Sequence, residues 1–286
     1  MTAREERVEA TYAGLPLRGV SIAGRETWFH FPTLNLAFDV GRLPTELVAV
    51  PNLFLTHAHL DHAAGLAYWA SQRRLSRLAG GVVHKESSPV NTWRKILTLH
   101  AELEGVRYDV AVEPLEPGGG VALRKDLTVT AFRAVHRVPA LGFVASEVRH
   151  RLKPAWRNES QDAIRKAAVE GEPVVESWAR PLVAFTGDTS AGLFDTAPAE
   201  LYEARVLLLE CSFLEERHRD RAAPWGHLHL SDLAERSELF RNEVVVLTHL
   251  TLRTSPGEIR KLIAASLPQA LAARTVPFLP SEEPAR

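Results

Sequence analysis

Short apolar runs that stop at a polar residue recur along this chain. Residues 36–40 predict a strand that turns at Gly41, and residues 53–56 predict another, introduced by Pro51-Asn52. Residues 63–77 predict a helix with Leu66, Trp69, Ala70 and Arg73 on one face, closed by Gly80-Gly81. After an extended piece at Val82-Val83, Ser88-Pro89 opens a second helix that runs to about Glu104. Gly118-Gly119-Gly120 marks a turn before strands at 121–124 and 127–135. A mixed-charge helix is expected over 161–170, and buried strands over 182–185, 206–209 and 244–247. Ser255-Pro256-Gly257-Glu258 caps a last helix reaching about Leu267, and residues 277–286 read as a loose tail. No internal repeat or low-complexity stretch interrupts this alternation. It predicts a layered α/β protein, and 286 residues suffice for one large domain or two modest ones.

The polar residues at the strand ends are not random. They are His57, His136, Asp188, Glu210 and His249. Rigid strands hold side chains at their ends in fixed positions, which is where layered α/β proteins concentrate function.

The densest of these points is His57-Ala58-His59-Leu60-Asp61-His62. In extended chain, residues i, i+2 and i+4 share one side, so His57, His59 and Asp61 are expected to converge, with His62 at the start of the helix aimed at an adjacent point. Three imidazoles and a carboxylate within six residues suit a zinc-class divalent ion. One ion needs about four ligands, so two ions would require donors from distant strand ends. His136, Asp188 and His249 are the candidates. A lone histidine at a strand end is ordinarily a surface or satisfied residue; four such residues together are not.

Composition narrows the alternatives. With 34 Lys and Arg against 35 Asp and Glu, the net charge is −1, so no basic field covers the whole protein. Cys211 is the only cysteine, which excludes an intrachain disulfide and a cysteine zinc site. The mixed-charge residues 1–10 do not read as a signal peptide, and no apolar run is long enough to span a membrane. A cytoplasmic protein is expected. There is no Gly-x-Ser-x-Gly elbow, no P-loop and no Gly-x-Gly-x-x-Gly after a strand.

The His-x-His-x-Asp-His cluster, followed in order by His136, by Asp188 in Thr-Gly-Asp-Thr and by His249 in Leu-Thr-His-Leu, resembles the motif series of the metallo-β-lactamase superfamily over residues 36–263. The resemblance implies a single domain over residues 1–286, an αββα four-layer sandwich with the site at one edge. It also implies two divalent ions, zinc first and manganese or iron as alternatives. His57, His59 and His136 would bind one, Asp61, His62 and His249 the other, and Asp188 would bridge both. Histidine at position 59, where diiron relatives carry glutamate, favours hydrolysis.

Three further segments are similar to the ribonuclease Z branch: His136-Arg137-Val138-Pro139-Ala140-Leu141-Gly142-Phe143, Glu210-Cys211-Ser212-Phe213, and Gly226-His227-Leu228-His229-Leu230-Ser231. By that resemblance Glu210 orients His227, which protonates the leaving oxygen or stabilises the transition state; Asp61, expected beside the attacking water, orients it or takes its proton. The branch implies a phosphodiester substrate, precursor tRNA, and a homodimer. His229 reads as structural, as do His30, His84, His100, His150 and His218, which lack partners by spacing.

Two family segments have no counterpart. The Gly-x-Gly-Ser-x-x-Pro opening and the Asp-Cys-Gly-Glu-Gly-Thr segment are absent, leaving only Phe38-Asp39-Val40-Gly41. Residues 146–180 replace the family's tRNA-binding arm with a shortened insertion. Within it, Arg149, Arg151, Lys153 and Arg157, with Trp156 among them, form either a phosphate-binding patch or, as favoured, a solvated helix start. Two other readings compete with the ribonuclease: a hydrolase of a small phosphodiester, sulfate ester, lactone or thioester on the same metals, and a non-catalytic metal- or RNA-binding protein.

Overall fold

The computed structural model describes residues 7–280. Its fourteen strands form two seven-stranded sheets. In the first, β1 (Val8–Tyr12), β2 (Leu15–Ile22), β3 (Glu26–Phe31), β4 (Leu36–Phe38), β5 (Asn52–Leu55), β6 (Gly81–Glu86) and β7 (Val110–Leu115) lie in chain order. The second runs β14 (Thr275–Pro277), β13 (Val244–Thr248), β12 (Val206–Glu210), β11 (Val175–Phe185), β10 (Leu141–Leu152), β9 (Leu127–Arg133) and β8 (Gly120–Arg124). The hairpin-linked strands pair antiparallel. The strands from β4 to β7 and from β11 to β14 pair parallel, as expected where helices cross over between them.

The sheets pack face to face on an aromatic core. Phe29, Phe31, Phe38 and Phe54 of the first sheet meet Phe143 and Phe185 of the second. Phe38 stacks on Phe143 at 5.9 Å with the rings nearly parallel, an arrangement worth about 0.5–1.5 kcal/mol beyond its buried area. The helices α1 (Leu60–Ala63), α2 (Leu66–Leu75) and α3 (Val90–Leu103) follow β5 and β6, and Trp69, Trp93 and Leu97 cover the outer face of the first sheet. Between β10 and β11 lies α4 (Gln161–Val169). On the second sheet, α5 (Ala199–Glu203), α7 (Leu230–Glu235) and α8 (Pro256–Ser266) contribute Leu201, Leu233, Ile259 and Ile263 to the outer core, with α6 (Arg219–Trp225) before α7. The result is the four-layer αββα sandwich.

Several expectations change. Helix begins at Leu60, not Ala63, and is interrupted at Gly65. There the backbone N–H donates to Val40 O at 2.8 Å, and a Cβ would lie 2.7 Å from that same oxygen. Arg73 does sit on the buried face, its guanidinium lying over Trp69 and donating to the carbonyls of Val48, Val50 and Ala79. The loose tail is corrected over its first part. Phe278 is buried against Phe29, and its N–H donates to Leu247 O at 2.8 Å; residues 1–6 and 281–286 lie outside the described residues. Two of the three arginines read as a helix start are on a strand, and Arg157 closes a short 3-10 turn after it. Arg149 and Arg151 belong to β10, which pairs with β11 as far as Leu152 opposite Val175, and α4 begins only at Gln161. The three N-terminal strands had no counterpart in the expected elements.

Candidate active site

His57 follows the last residues of β5 and is fully buried, while His59 next to it is exposed. Because the chain turns helical at Leu60, the extended alternation stops at His59. Asp61 therefore does not converge with His57 and His59 as spacing alone suggested; it joins His62 and His249. His136 arrives three residues after β9, Asp188 three after β11, and His249 directly after β13. The donor atoms form two groups, each spanning no more than 4.8 Å: His57, His59, His136 and Asp188; and Asp61, His62 and His249. Asp188 stands between them. Its Oδ2 lies 3.6 Å from His57 Nε2 and 3.4 Å from His249 Nε2, and its Oδ1 lies 3.3 Å from His62 Nε2. A third grouping places His227 with Asp188 and His249.

Four of the five candidate imidazoles are oriented by their other nitrogen. His57 Nδ1–H donates to Thr56 Oγ1 at 3.0 Å, whose hydroxyl donates onward to Asp39. His62 Nδ1–H donates to Asp39 Oδ2 at 2.8 Å. His136 Nδ1–H donates to the Gly226 carbonyl at 2.8 Å, and His249 Nδ1–H to Ser212 Oγ at 2.8 Å. These four rings thus present Nε2 to the centre, and His59 presents Nδ1. Fixing the tautomer through the far nitrogen is how proteins orient imidazole ligands. His62 Nε2 and Asp188 Oδ1 are buried without a hydrogen-bond partner. Unpaired polar atoms at the centre of a ring of donors fit a divalent cation, because burial without one would leave their desolvation uncompensated.

Electrostatics agree with crowding of these groups. Burial and the neighbouring His62 push the His57 pKa well down. Burial opposes ionisation of Asp188, yet His249 and His62 beside it hold its carboxyl well below the usual range.

A second pair abuts this centre. Glu210, at the end of β12, is buried, and its Oε1 accepts from His227 Nδ1–H at 3.0 Å. Three backbone N–H groups, of Thr189, Ser212 and Leu228, also donate to the Glu210 carboxylate. The His227 ring stacks on His249 at 5.2 Å. Burial lowers the His227 pKa, but the Glu210 carboxylate outweighs it, and the net shift is upward.

His229 points elsewhere. It caps α7, accepting from the Ser231 N–H, with Nε2–H donated to Glu215 O at 3.1 Å. Spacing could not reveal Asp39 or Ser212, which touch ligand candidates 23 and 37 residues away, and Thr56, though adjacent to His57, has no pattern that marks it. Only Asp39 left a signal, an acid closing an apolar strand like the others.

From Ser212, His227 and His249 a cleft of about 310 Å³ runs outward past Phe213, Trp225, Arg221 and Arg253. Two arginines on this side are ion-paired: Arg217 with Glu215, and Arg219 with Glu216 and Glu235. Arg221 and Arg253 have no such partner among the described residues.

A four-layer αββα sandwich carrying a His/Asp cluster at its strand ends defines a metal-dependent hydrolase of the metallo-β-lactamase fold. The β-lactamase superfamily domain matches residues 34–250, and the chain belongs to that family. Within it the chain is ribonuclease Z-like. It is 31% identical to tRNase Z TRZ1 of Arabidopsis thaliana over 272 residues, covering 94% of this chain and 97% of the relative. It is 32% identical to the chloroplastic tRNase Z TRZ2 of the same plant, covering 92% and 74%. Among solved structures, the short form of human tRNase Z superposes with a TM-score of 0.52 at 19% identity, covering 85% of this chain and 89% of that one. The Bacillus subtilis metallo-β-lactamase fold protein YhfI gives 0.60 at 13% identity, covering 91% and 94%. The protein is a metal-dependent hydrolase of ribonuclease Z type. Among its described residues no helix is long and apolar enough to cross a membrane.

Proposed function

We propose that this hydrolase cleaves a phosphodiester bond in precursor tRNA, using two divalent ions, zinc in the first instance. The reading is carried by the Glu210–His227 pair packed against the donor cluster, in a chain whose relatives over most of its length are tRNA-processing enzymes. His57, His59 and His136 would hold one ion, and Asp61, His62 and His249 the other, with Asp188 serving both. When bound, such ions supply Lewis acidity, lowering the pKa of water and offsetting charge on a phosphoryl oxygen.

The chain's own residues do the rest. Asp61 is partly buried, and His249 and His62 keep it ionised against that burial, so its carboxylate is available to orient the attacking water. Glu210 holds the His227 ring by its Nδ1–H and favours the imidazolium, so that Nε2 carries the proton for the leaving oxygen. The buried amide donors around Glu210 keep that carboxylate from swinging away. The cleft leading from His227 suits the leaving nucleotide chain: Phe213 and Trp225 offer stacking faces, and Arg221 and Arg253 offer unpaired charge for phosphates.

The direct test is analysis of the 3′ ends formed when precursor tRNA is incubated with the protein, with and without chelator. Chelator-sensitive release of the 3′ trailer is expected. No cut in precursor tRNA, alongside hydrolysis of bis(p-nitrophenyl) phosphate, a lactone or a thioester, would replace the reading with the small-substrate hydrolase. Metal uptake with no hydrolysis in any of these assays would leave the non-catalytic binding protein. A cytoplasmic location and a homodimer complete the proposal, the latter checked by sedimentation.

Two predictions bear on how the substrate and the ions are held. The double substitution Arg221→Ala with Arg253→Ala is expected to weaken RNA binding and to reduce the slope of log affinity against log salt by up to about 2. Arg149→Glu with Arg151→Glu is expected to leave that affinity within about twofold. Arg149 is already paired with Glu147, and Arg151 with Glu176 and the Trp178 ring. The opposite pattern in a salt series would move the RNA-binding surface to the β10–β11 extension. Asp39→Asn should lower affinity for the ion at His62 by about 10–100-fold, the usual effect of losing a partner that orients a ligand. Competition with a chromophoric chelator reads this directly.

A further inference from the structure

The β2–β3 hairpin reaches the site from outside the span that matches the superfamily, which begins at residue 34. It hydrogen-bonds two of the three residues of the Asp61, His62 and His249 group, the backbone of His249 and the side chain of Asp61. Ser21, near the end of β2, is buried, and its Oγ accepts the backbone N–H of His249 at 2.8 Å. Gly24, in the turn, donates its N–H to Asp61 Oδ2 at 2.9 Å. Between them, Ala23 N–H donates to Leu250 O at 3.2 Å, and Ile22 pairs with Leu250 in a parallel bridge. The hairpin and the loop after β13 are therefore tied together by these contacts to the backbone of His249 and Leu250.

His249 needs such support. Its φ is +54°, a left-handed conformation that is unfavourable for a non-glycine residue and persists only where the surroundings hold it. Ser212 holds its ring and its carbonyl, and Ser21 holds its N–H. Asp61 Oδ2 lies 3.4 Å from His249 Nε2, so the Gly24 amide sets the carboxylate rotation that brings these two donors together. The other group is held differently: His57 by Thr56 and His136 by the Gly226 carbonyl, with no contact from the hairpin.

We infer that the β2–β3 hairpin is a positioning element for the Asp61–His62–His249 group, with Ser21 fixing the backbone of His249 and Gly24 the carboxylate of Asp61. The inference rests on the two-ion reading above. It makes the two ion sites separable: loss of the Ser21 hydroxyl leaves the buried His249 N–H unpaired and frees that residue to leave its strained conformation, while the other site keeps all its supports.

The test is a zinc titration of the full-length apo-protein, wild type, Ser21→Ala and Ser21→Thr. Chelator competition reads the affinity of each equivalent, and NMR reads the imidazoles of His57, His59 and His249 and the amides of Ser21 and Gly24. In the wild type, the Ser21 and Gly24 amides should shift with the equivalent that shifts His249, not with the one that shifts His57 and His59. Ser21→Ala should lose about 10–100-fold in affinity for the His249 equivalent and keep the other within about twofold. Ser21→Thr, which retains the hydroxyl, should keep both. Uptake of only one equivalent by the wild type would defeat the two-ion reading itself. With two equivalents bound, unchanged affinities in Ser21→Ala, or equal loss at both sites, would overturn the hairpin's role. Should Ser21→Ala not fold, the wild-type amide shifts decide, since hairpin amides that follow the His57 equivalent or neither one contradict the inference.

Discussion

Asp188→Asn is expected to reduce turnover by about a thousandfold or more while the apo-protein keeps its fold. Asp188 is the one candidate whose two oxygens face both donor groups, Oδ1 toward His62 and Oδ2 toward His57 and His249. Replacing one oxygen by an amide nitrogen removes the negative charge and one donor at once. Several kcal/mol of transition-state stabilisation depend on the ions in such sites, which corresponds to three or more powers of ten. Metal content measured by plasma emission should fall from two equivalents to one or none, and circular dichroism should remain that of the wild type. A variant that keeps both ions and near-normal turnover would remove Asp188 from its bridging position.

His227→Ala is the second large effect, and it should separate chemistry from metal binding. Turnover on a phosphodiester is expected to fall by about 10²–10⁴-fold, the usual contribution of a positioned acid. Metal content should stay intact, because the candidate ligands of the two main groups remain. The competing outcome is specific: His227 also lies within reach of Asp188 and His249, so loss of an ion in this variant would make it a ligand instead of an acid. The pH dependence adds a sign. The acid must be protonated, and Glu210 raises the His227 pKa above its ordinary 6.5 in spite of burial. Activity should therefore persist through the ordinary imidazole range and decline only as pH rises beyond it. Glu210→Gln removes the raising carboxylate, so the declining limb should move to lower pH. An unshifted limb would assign the titration to another group.

The cluster at 57–62 and the strand-end residues His136, Asp188, Glu210 and His249 were legible because the strands that precede them all end at one edge of the layered sheets. The order of motifs then sufficed to recognise the superfamily. Spacing alone failed at Asp61. Period-two reasoning holds only while the chain is extended, and the helix begins at Leu60. The basic segment at 149–157 was misplaced for a related reason. Its polar residues gave no strand alternation, yet β10 continues beyond its buried half because pairing with β11 supplies the ladder.

The sequence by itself determined the inventory of this protein: an α/β chain with His, Asp and Glu at the ends of its apolar runs, in an order that resembles one superfamily, and no competing catalytic motif. These are local properties, set by which residue follows which apolar run. The tertiary structure alone decided how the donors divide into two groups, with Asp188 between them. It also decided which nitrogen of each imidazole faces the centre, through Asp39, Thr56, Ser212 and the Gly226 carbonyl. Those partners come from strands and loops up to 90 residues away. A hydrogen bond depends on a distance of about 3 Å in space, and no periodicity along the chain encodes which distant elements the packed sheets bring that close.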